Sequence, residues 1–330
     1  MVFDGRDTNI KGKPWGRRVL SVNPFGYHIT KMNSKLLNVA RRFNSNSTSQ
    51  MMLANLTFGN MRSSGTPLIL VPGLFGTKEN WIRVGKELSQ RLGCMVFAVE
   101  NRNHGGSSMA PSMTYPEMAD DLVGFIDWVR KITGEDQVNL HGHSMGGKTV
   151  TQLATTPEYA PRIKNLIVED MSPLGYPLKR AEYLDCIKHM IATDMNKSRD
   201  EVMAELGEKV SKVLLYQFVR GNLGEDVNGK AQWTCNLNVI DETYIYLLSH
   251  DIRFGVFDGP TLFQRASGSG FLPAAHKNRI EKMFPMVKFA ETAWSNHWIH
   301  ADDPKFFVDS ICEFLEQPDD LGQLGRKAMI

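Results

Sequence analysis

Residues 137–150 read "QVNLHGHSMGGKTV", and the fold turns on how they are read. "QVNLH" (137–141) suits a buried strand, and "KTVTQLATT" (148–156) follows with the period of a helix. Between them Ser144 stands two residues from Gly142 on one side and two from Gly146 on the other. A bare G-x-S-x-G is short enough to arise by chance in any glycine-rich loop. Set between a strand and a helix, it describes a nucleophile elbow, whose glycines let the backbone turn where a Cβ would strike its neighbours. The helix that starts there turns free N–H groups and a positive dipole end toward developing negative charge.

The same grammar extends both ways from the elbow. "MLANLTF" (52–58), "PLILVPG" (67–73), "MVFAVE" (95–100), "IKNLIVED" (163–170), "GPTLFQRAS" (259–267) and "MVKFAE" (286–291) read as strands. Helical periods lie between them at 81–92 and 114–132, and "PKFFVDSICEFL" (304–315) closes the pattern with Pro at its first turn. Alternation of this kind implies an α/β fold, a mostly parallel sheet with helices on both faces. Residues 174–254 interrupt it with "KRAEYLDCIKHMI" and "RDEVMAELGEKVSKVLLYQFV", both helical in period. The expected layout is a leader (1–50), a core in two pieces (51–173 and 255–316), a helical cap inserted between them (174–254) and a flexible tail (317–330).

Composition narrows the function. At 330 residues and 42% hydrophobic, the chain can bury a large core, yet it holds no apolar run of the length a membrane-spanning helix needs. Residues 1–50 carry nine Lys/Arg against two Asp, which leaves 29 basic and 34 acidic residues in the rest. The body is therefore mildly acidic and has no electrostatic footprint for nucleic acid. Cys94, Cys186, Cys235 and Cys312 are scattered, without metal-type spacing, and read as buried thiols compatible with a reducing compartment. After Asp7 no acid occurs before Glu79. Within that gap "KMNSKLLNVARRFNSNSTSQ" (31–50) forms a basic amphipathic pattern followed by Ser and Asn, as a mitochondrial presequence does. A disordered leader without an address is the competing reading.

A serine nucleophile needs a base, and in this fold the order is Ser, acid, His. His297 and His300 both follow the last strand; His297, in the polar loop, is the expected base, and His300 is expected to help seat the final helix. An H-x-x-H metal reading fails for want of a third ligand at a usual spacing. The loop after the penultimate strand, "RASGSGFL" (265–272), offers no carboxylate. Asp170, at the carboxyl end of the strand before the cap, is the expected acid, with Glu169 the lesser candidate because alternation turns it to the other face. For the oxyanion hole the expected N–H donors are those of Met145, after the nucleophile, and Leu74 in "PGLFG", with Phe75 as alternate.

"PGLFGTKENW" (72–81), "VENRNHGGSS" (99–108), "GHSMGGKT" (142–149), "VEDMSP" (168–173), "GPTLF" (259–263) and "NHWIHADDP" (296–304) in this order resemble the α/β-hydrolase-domain protein 11 family. The likeness covers roughly residues 52–316 and extends to bacterial esterases and yeast mitochondrial alcohol acetyltransferases. It implies an α/β-hydrolase fold and a serine hydrolase, often mitochondrial, that acts on small-molecule ester, lipid-ester or thioester substrates without a cofactor. The family pattern also puts the acid at the end of the strand before the cap. The chain departs from it at Pro72, where the family usually has His, and at Glu100, where it usually has Asp. Three readings remain: a carboxylic-ester hydrolase, an alcohol O-acyltransferase using the same triad, and a non-catalytic binding protein on this fold.

Overall fold

A computed structural model describes residues 51–60, 63–176, 181–252 and 255–317. The leader, and with it the presequence expectation, lies outside the described residues, as do positions 318–330 of the tail. The strands are β1 (Asn55–Phe58), β2 (Gly65–Val71), β3 (Cys94–Val99), β4 (Val138–His143), β5 (Ile163–Glu169), β8 (Thr261–Ala266) and β9 (Val287–Thr292). They form one seven-stranded sheet in the order β1-β3-β2-β4-β5-β8-β9, antiparallel only where β1 meets β3. Consecutive residues of β2 show why helices cover both faces. Ile69 and Val71 pack with Leu122, Ile126 and Val150, from helices α2 (Tyr115–Thr133) and α3 (Met145–Ala154). Leu68 and Leu70 turn the other way, to Val84, Leu88, Phe307 and Ile311 of α1 (Ile82–Leu92) and α9 (Pro304–Glu316). The helix ends follow local chemistry: Thr114 and Glu117 close a capping box on α2, and Asp303 caps α9 ahead of Pro304.

Between β5 and β8 the chain builds the cap from α4 (Ala181–Ala192), α5 (Arg199–Lys209), a π-helical turn at Leu215–Val219 and α6 (Leu237–Ser249). The helical period of the sequence runs unbroken through 199–219. The structure breaks it at Val210, whose backbone is extended, and Ser211 caps a fresh start. The cap also contains a small hairpin, β6 (Leu223–Glu225) with β7 (Ala231–Trp233). Neither the hairpin nor α6 was expected, because three-residue strands carry no period and "LNVIDETYIYLLS" is rich in β-branched and aromatic residues. Cap residues Ile187, Met190, Phe218 and Ile240 share an apolar cluster with Phe75, Tyr115 and Met145 of the core. The ends of the insertion are pinned by a buried lysine on α3: Lys148 Nζ donates to the carbonyls of Leu174 at 3.0 Å and His250 at 2.8 Å. After α7 (Lys277–Met283) and β9, His300 of α8 (Ile299–Asp302) donates to Glu169 at the end of β5, so it seats the segment that leads into α9. All four cysteines are buried and unpaired. No helix among the described residues is long and apolar enough to cross a membrane.

Candidate active site

Strand β4 runs through His143 and stops against Ser144, whose φ of 53° and ψ of −122° no ordinary L-residue adopts without support. The support is steric and reciprocal. A Cβ on Gly142 would come within 2.4 Å of Gly146 O, and one on Gly146 within 2.5 Å of the Val71 and Pro72 carbonyls. Only glycines allow α3 to start so close behind the strand. Ser144 N–H donates to Glu169 O at 3.1 Å, which ties the turn to the end of β5.

The structure brings the three expected side chains into one hydrogen-bonded chain. Ser144 Oγ lies 2.7 Å from His297 Nε2, and His297 Nδ1 lies 2.8 Å from Asp170 Oδ2. The carboxylate therefore takes the Nδ1–H, and Nε2 is the tautomeric nitrogen free to accept the serine proton. Asp170, like Ser144, has a positive φ, 45°, so the chain turns sharply where β5 ends. Its Oδ1 accepts from Ala266 N–H at 3.0 Å, and the Ser269 hydroxyl also bonds the carboxylate. The loop that lacks an acid thus serves the acid of another strand. Burial pushes the Asp170 carboxyl up to about 6, against the pull of those hydrogen bonds. Phe271, from the same loop, stacks on the His297 ring at 3.8 Å between centroids. Sequence reasoning missed Ala266, Ser269 and Phe271 because their contribution is one N–H, one hydroxyl and one ring face, none of which leaves a motif.

Glu169 points to the opposite face, as strand alternation requires. It accepts from His300 N–H at 3.0 Å and from His300 Nδ1 at 2.8 Å, and His141 Nε2 stands 3.3 Å from it. His143 donates through Nε2 to His297 O at 2.8 Å and so supports His297 through its backbone. Burial drives the His143 pKa down to about 3, so the ring stays neutral. Ligand-type atoms of His143, Glu169 and His300 lie within 4.8 Å of one another. These hydrogen bonds already occupy His143 Nε2, His300 Nδ1 and both carboxylate oxygens.

The loop after β2 lies directly against Ser144; a Cβ on Gly73 would stand 2.9 Å from Ser144 Cβ. Leu74 and Met145 both border the cleft. Met145 is the first residue of α3, where an N–H has no acceptor within the helix. The alternate donor is engaged elsewhere: Phe75 N–H donates to His104 Nε2 at 3.1 Å. At the two family departures, Pro72 O accepts from Asn101 Nδ2 at 2.9 Å, and Glu100 binds Lys78 Nζ at 2.9 Å and Gly106 N–H at 2.8 Å. Ser144 and His297 open into the same cleft. Its walls come from the core (Tyr115, Met171, Phe271) and from the cap (Tyr183, Phe218, Tyr244, Leu247). Sequence assigns no cap residue to the pocket, because a Met or aromatic at helical spacing is more often core than pocket.

Residues 66–220 match the family model described as the alpha/beta hydrolase fold. The chain is 32% identical over 269 residues to the sn-1-specific diacylglycerol lipase ABHD11 of Danio rerio, covering 79% of this chain and 83% of that protein. It is 28% identical over 252 residues to the esterase YbfF of Escherichia coli, covering 76% and 94% respectively. Among solved structures, a marine microorganism esterase superposes with a TM-score of 0.73 at 30% identity, over 80% of this chain and 99% of that one.

Proposed function

The chain belongs to the α/β-hydrolase-domain protein 11 family and is a serine ester hydrolase, and on that premise we propose which residues carry the reaction and which esters it takes. Ser144 Oγ attacks the acyl carbonyl as His297 Nε2 takes its proton. The C–Oγ bond forms, and the carbonyl oxygen becomes an oxyanion facing the N–H groups of Leu74 and Met145. Asp170 holds the imidazole in the needed tautomer and balances its cation. Collapse of the intermediate breaks the ester C–O bond, and His297 returns the proton to the leaving alcohol. Water then repeats the sequence on the acyl-enzyme and releases the acid, regenerating Ser144.

The observation that carries this reading is the unbroken chain from Ser144 Oγ through His297 to Asp170, at 2.7 and 2.8 Å. The cleft supports neutral, lipid-type esters as substrates, since no Lys, Arg, Asp or Glu among the described residues borders it. A relative named as a diacylglycerol lipase points the same way. Intact mass after a fluorophosphonate, run on residues 51–330 beside Ser144→Ala, tests the nucleophile. One adduct on the wild type and none on the variant is expected; no adduct on folded wild type removes the hydrolase mechanism. A p-nitrophenyl ester series of rising acyl length, with CoA thioesters alongside, tests the substrate class. Products analysed with added alcohol test the acceptor: ester rather than acid as main product would mean an acyltransferase.

For location, the basic stretch 31–50, which contains no acid, supports mitochondrial import. Residues 1–50 fused to a reporter should direct it into isolated mitochondria, and a reporter that stays outside refutes the address.

A further inference from the structure

One residue in the loop beside Ser144 is held from two sides, through both of its peptide groups. Phe75 has a φ of 61°, a left-handed conformation that an aromatic residue keeps only when its surroundings impose it. On one side, its N–H donates to His104 Nε2, while His104 Nδ1–H donates to Arg102 O at 2.9 Å and so fixes the tautomer. Burial lowers the His104 pKa to about 4, which keeps the ring a neutral acceptor. On the other side, Phe75 O accepts from Asn222 Nδ2 at 2.7 Å.

Asn222 belongs to the cap and lies 147 residues away in sequence. The same amide nitrogen donates to Phe218 O at 2.9 Å, in the π-helical turn, and the Phe218 ring packs on Phe75 at 4.7 Å. The backbone of Asn222 is itself fixed, its N–H on Val219 O at 3.0 Å and its carbonyl under Thr234 N–H at 2.9 Å. The side chain is wholly buried, and its Oδ1 has no hydrogen-bond partner among the described residues. An unpaired amide oxygen in the interior is a cost that a leucine would not carry, so packing alone does not call for asparagine here. What the amide adds is a donor aimed at two carbonyls, one of them next to the expected oxyanion donor.

We propose that Asn222 is a positioning residue: by holding the Phe75 carbonyl it aims the adjacent Leu74 N–H at the oxyanion, so that seating of the cap completes the oxyanion hole. This rests on the reading of Leu74 above. Phe75 cannot substitute as donor, since its N–H is bound to His104. A small rotation about the 74–75 backbone would swing the Leu74 donor away while leaving the apolar cleft intact. The effect should therefore fall on the transition state and spare ground-state binding.

Wild type, Asn222→Leu and Asn222→Asp are compared after active-site titration with a fluorophosphonate carried to completion. On p-nitrophenyl butyrate, kcat per titrated site should fall about 10- to 100-fold in both variants, with KM within about twofold. A trifluoromethyl ketone, which forms a tetrahedral adduct on serine, should lose affinity by the same factor as kcat/KM. The parent methyl ketone should bind all three proteins alike. A variant with kcat per titrated site near wild type, or with unchanged trifluoromethyl ketone affinity, overturns the proposal, as does a rise in KM alone. Asn222→Asp keeps the shape and removes the donor, so it decides the matter if Asn222→Leu fails to fold. Absence of any adduct on wild type would instead overturn the reading of Ser144, and this inference with it.

Discussion

Two His–carboxylate pairs stand back to back at the end of β5. Asp170 pairs with His297 and Glu169 with His300, each at 2.8 Å. Both carboxylates are fully buried, yet their surroundings push them apart. Glu169 is ringed by His300, His143 and His141, which hold it well below the usual carboxylate range despite burial. Asp170 has less compensation, and burial lifts it to about 6. His300 lies 4.4 Å from the Trp81 ring, centroid to centroid, and does not border the cleft, whereas His297 turns Nε2 to Ser144. The same two residue types thus make a strut on one face and, on the other, a pair that reaches Ser144. Fold stability and catalysis should separate across one peptide bond.

The largest effect that would sharpen this contrast is on turnover. Asp170→Asn should lower kcat by about 10⁴, because an amide leaves His297 in the wrong tautomer. It should not unfold the protein. The folded pKa is raised, so the contribution of Asp170 to stability is whole below 3.8 and is lost as pH rises through about 6. Above that pH the ionised carboxylate destabilises the fold, by about 3 kcal/mol on the size of the shift. Melting of Asp170→Asn near neutral pH should therefore match or exceed wild type; a large drop would erase the distinction. Glu169→Gln should do the reverse, costing about 3–5 kcal/mol in a denaturant melt while kcat per titrated site stays within about threefold. Its folded pKa is depressed, so its stabilisation is present above 4.5 and is lost as pH falls toward the lower folded value. A Glu169→Gln enzyme that is stable but inactive would mean that both pairs serve catalysis.

Much of this contrast was legible in the sequence, for a physical reason. Strand alternation is a two-residue period, so Glu169 and Asp170 had to face opposite sides once "IKNLIVED" was read as a strand. The elbow was legible because its two glycines answer to a backbone clash that no other residue relieves. The supports of Asp170 were not legible, since Ala266 contributes only a main-chain N–H and any non-proline residue can do that. Nor was Asn222, a polar residue in a cap whose docking depends on contacts across 147 positions. Sequence periodicity reports which face is apolar, and it is silent on which carbonyl a buried amide will meet.

A smaller effect concerns pH. As pH falls past about 6 the Asp170–His297 pair should take up a proton, and kcat/KM should fall about tenfold per unit below that point. A stopped-time profile with a neutral p-nitrophenyl ester reads this directly. A flat profile well below 6 would show that the carboxylate is held ionised more firmly than its burial implies, and the two pairs would then differ in position only.

The smallest effect tests whether the cap is tied to the elbow. Lys148 follows Ser144 by one helical turn, and its Nζ reaches the carbonyls of Leu174 and His250 on either side of the insertion. Burial lowers its pKa to about 8, with Asp251 pulling the other way. A neutral amine still has two N–H groups, enough for both carbonyls. The sign follows: the unfolded chain holds the lysine proton up to 10.5, so folding becomes more favourable as pH rises from about 8 toward 10.5. Lys148→Met removes both hydrogen bonds and the buried charge together, so near pH 7 the loss should be modest, about 1–2 kcal/mol. Urea melts between about pH 7 and pH 10 should show the gap between wild type and Lys148→Met widening with pH. A gap that narrows instead would mean the ammonium, and not the two donors, holds the cap to the helix that follows Ser144.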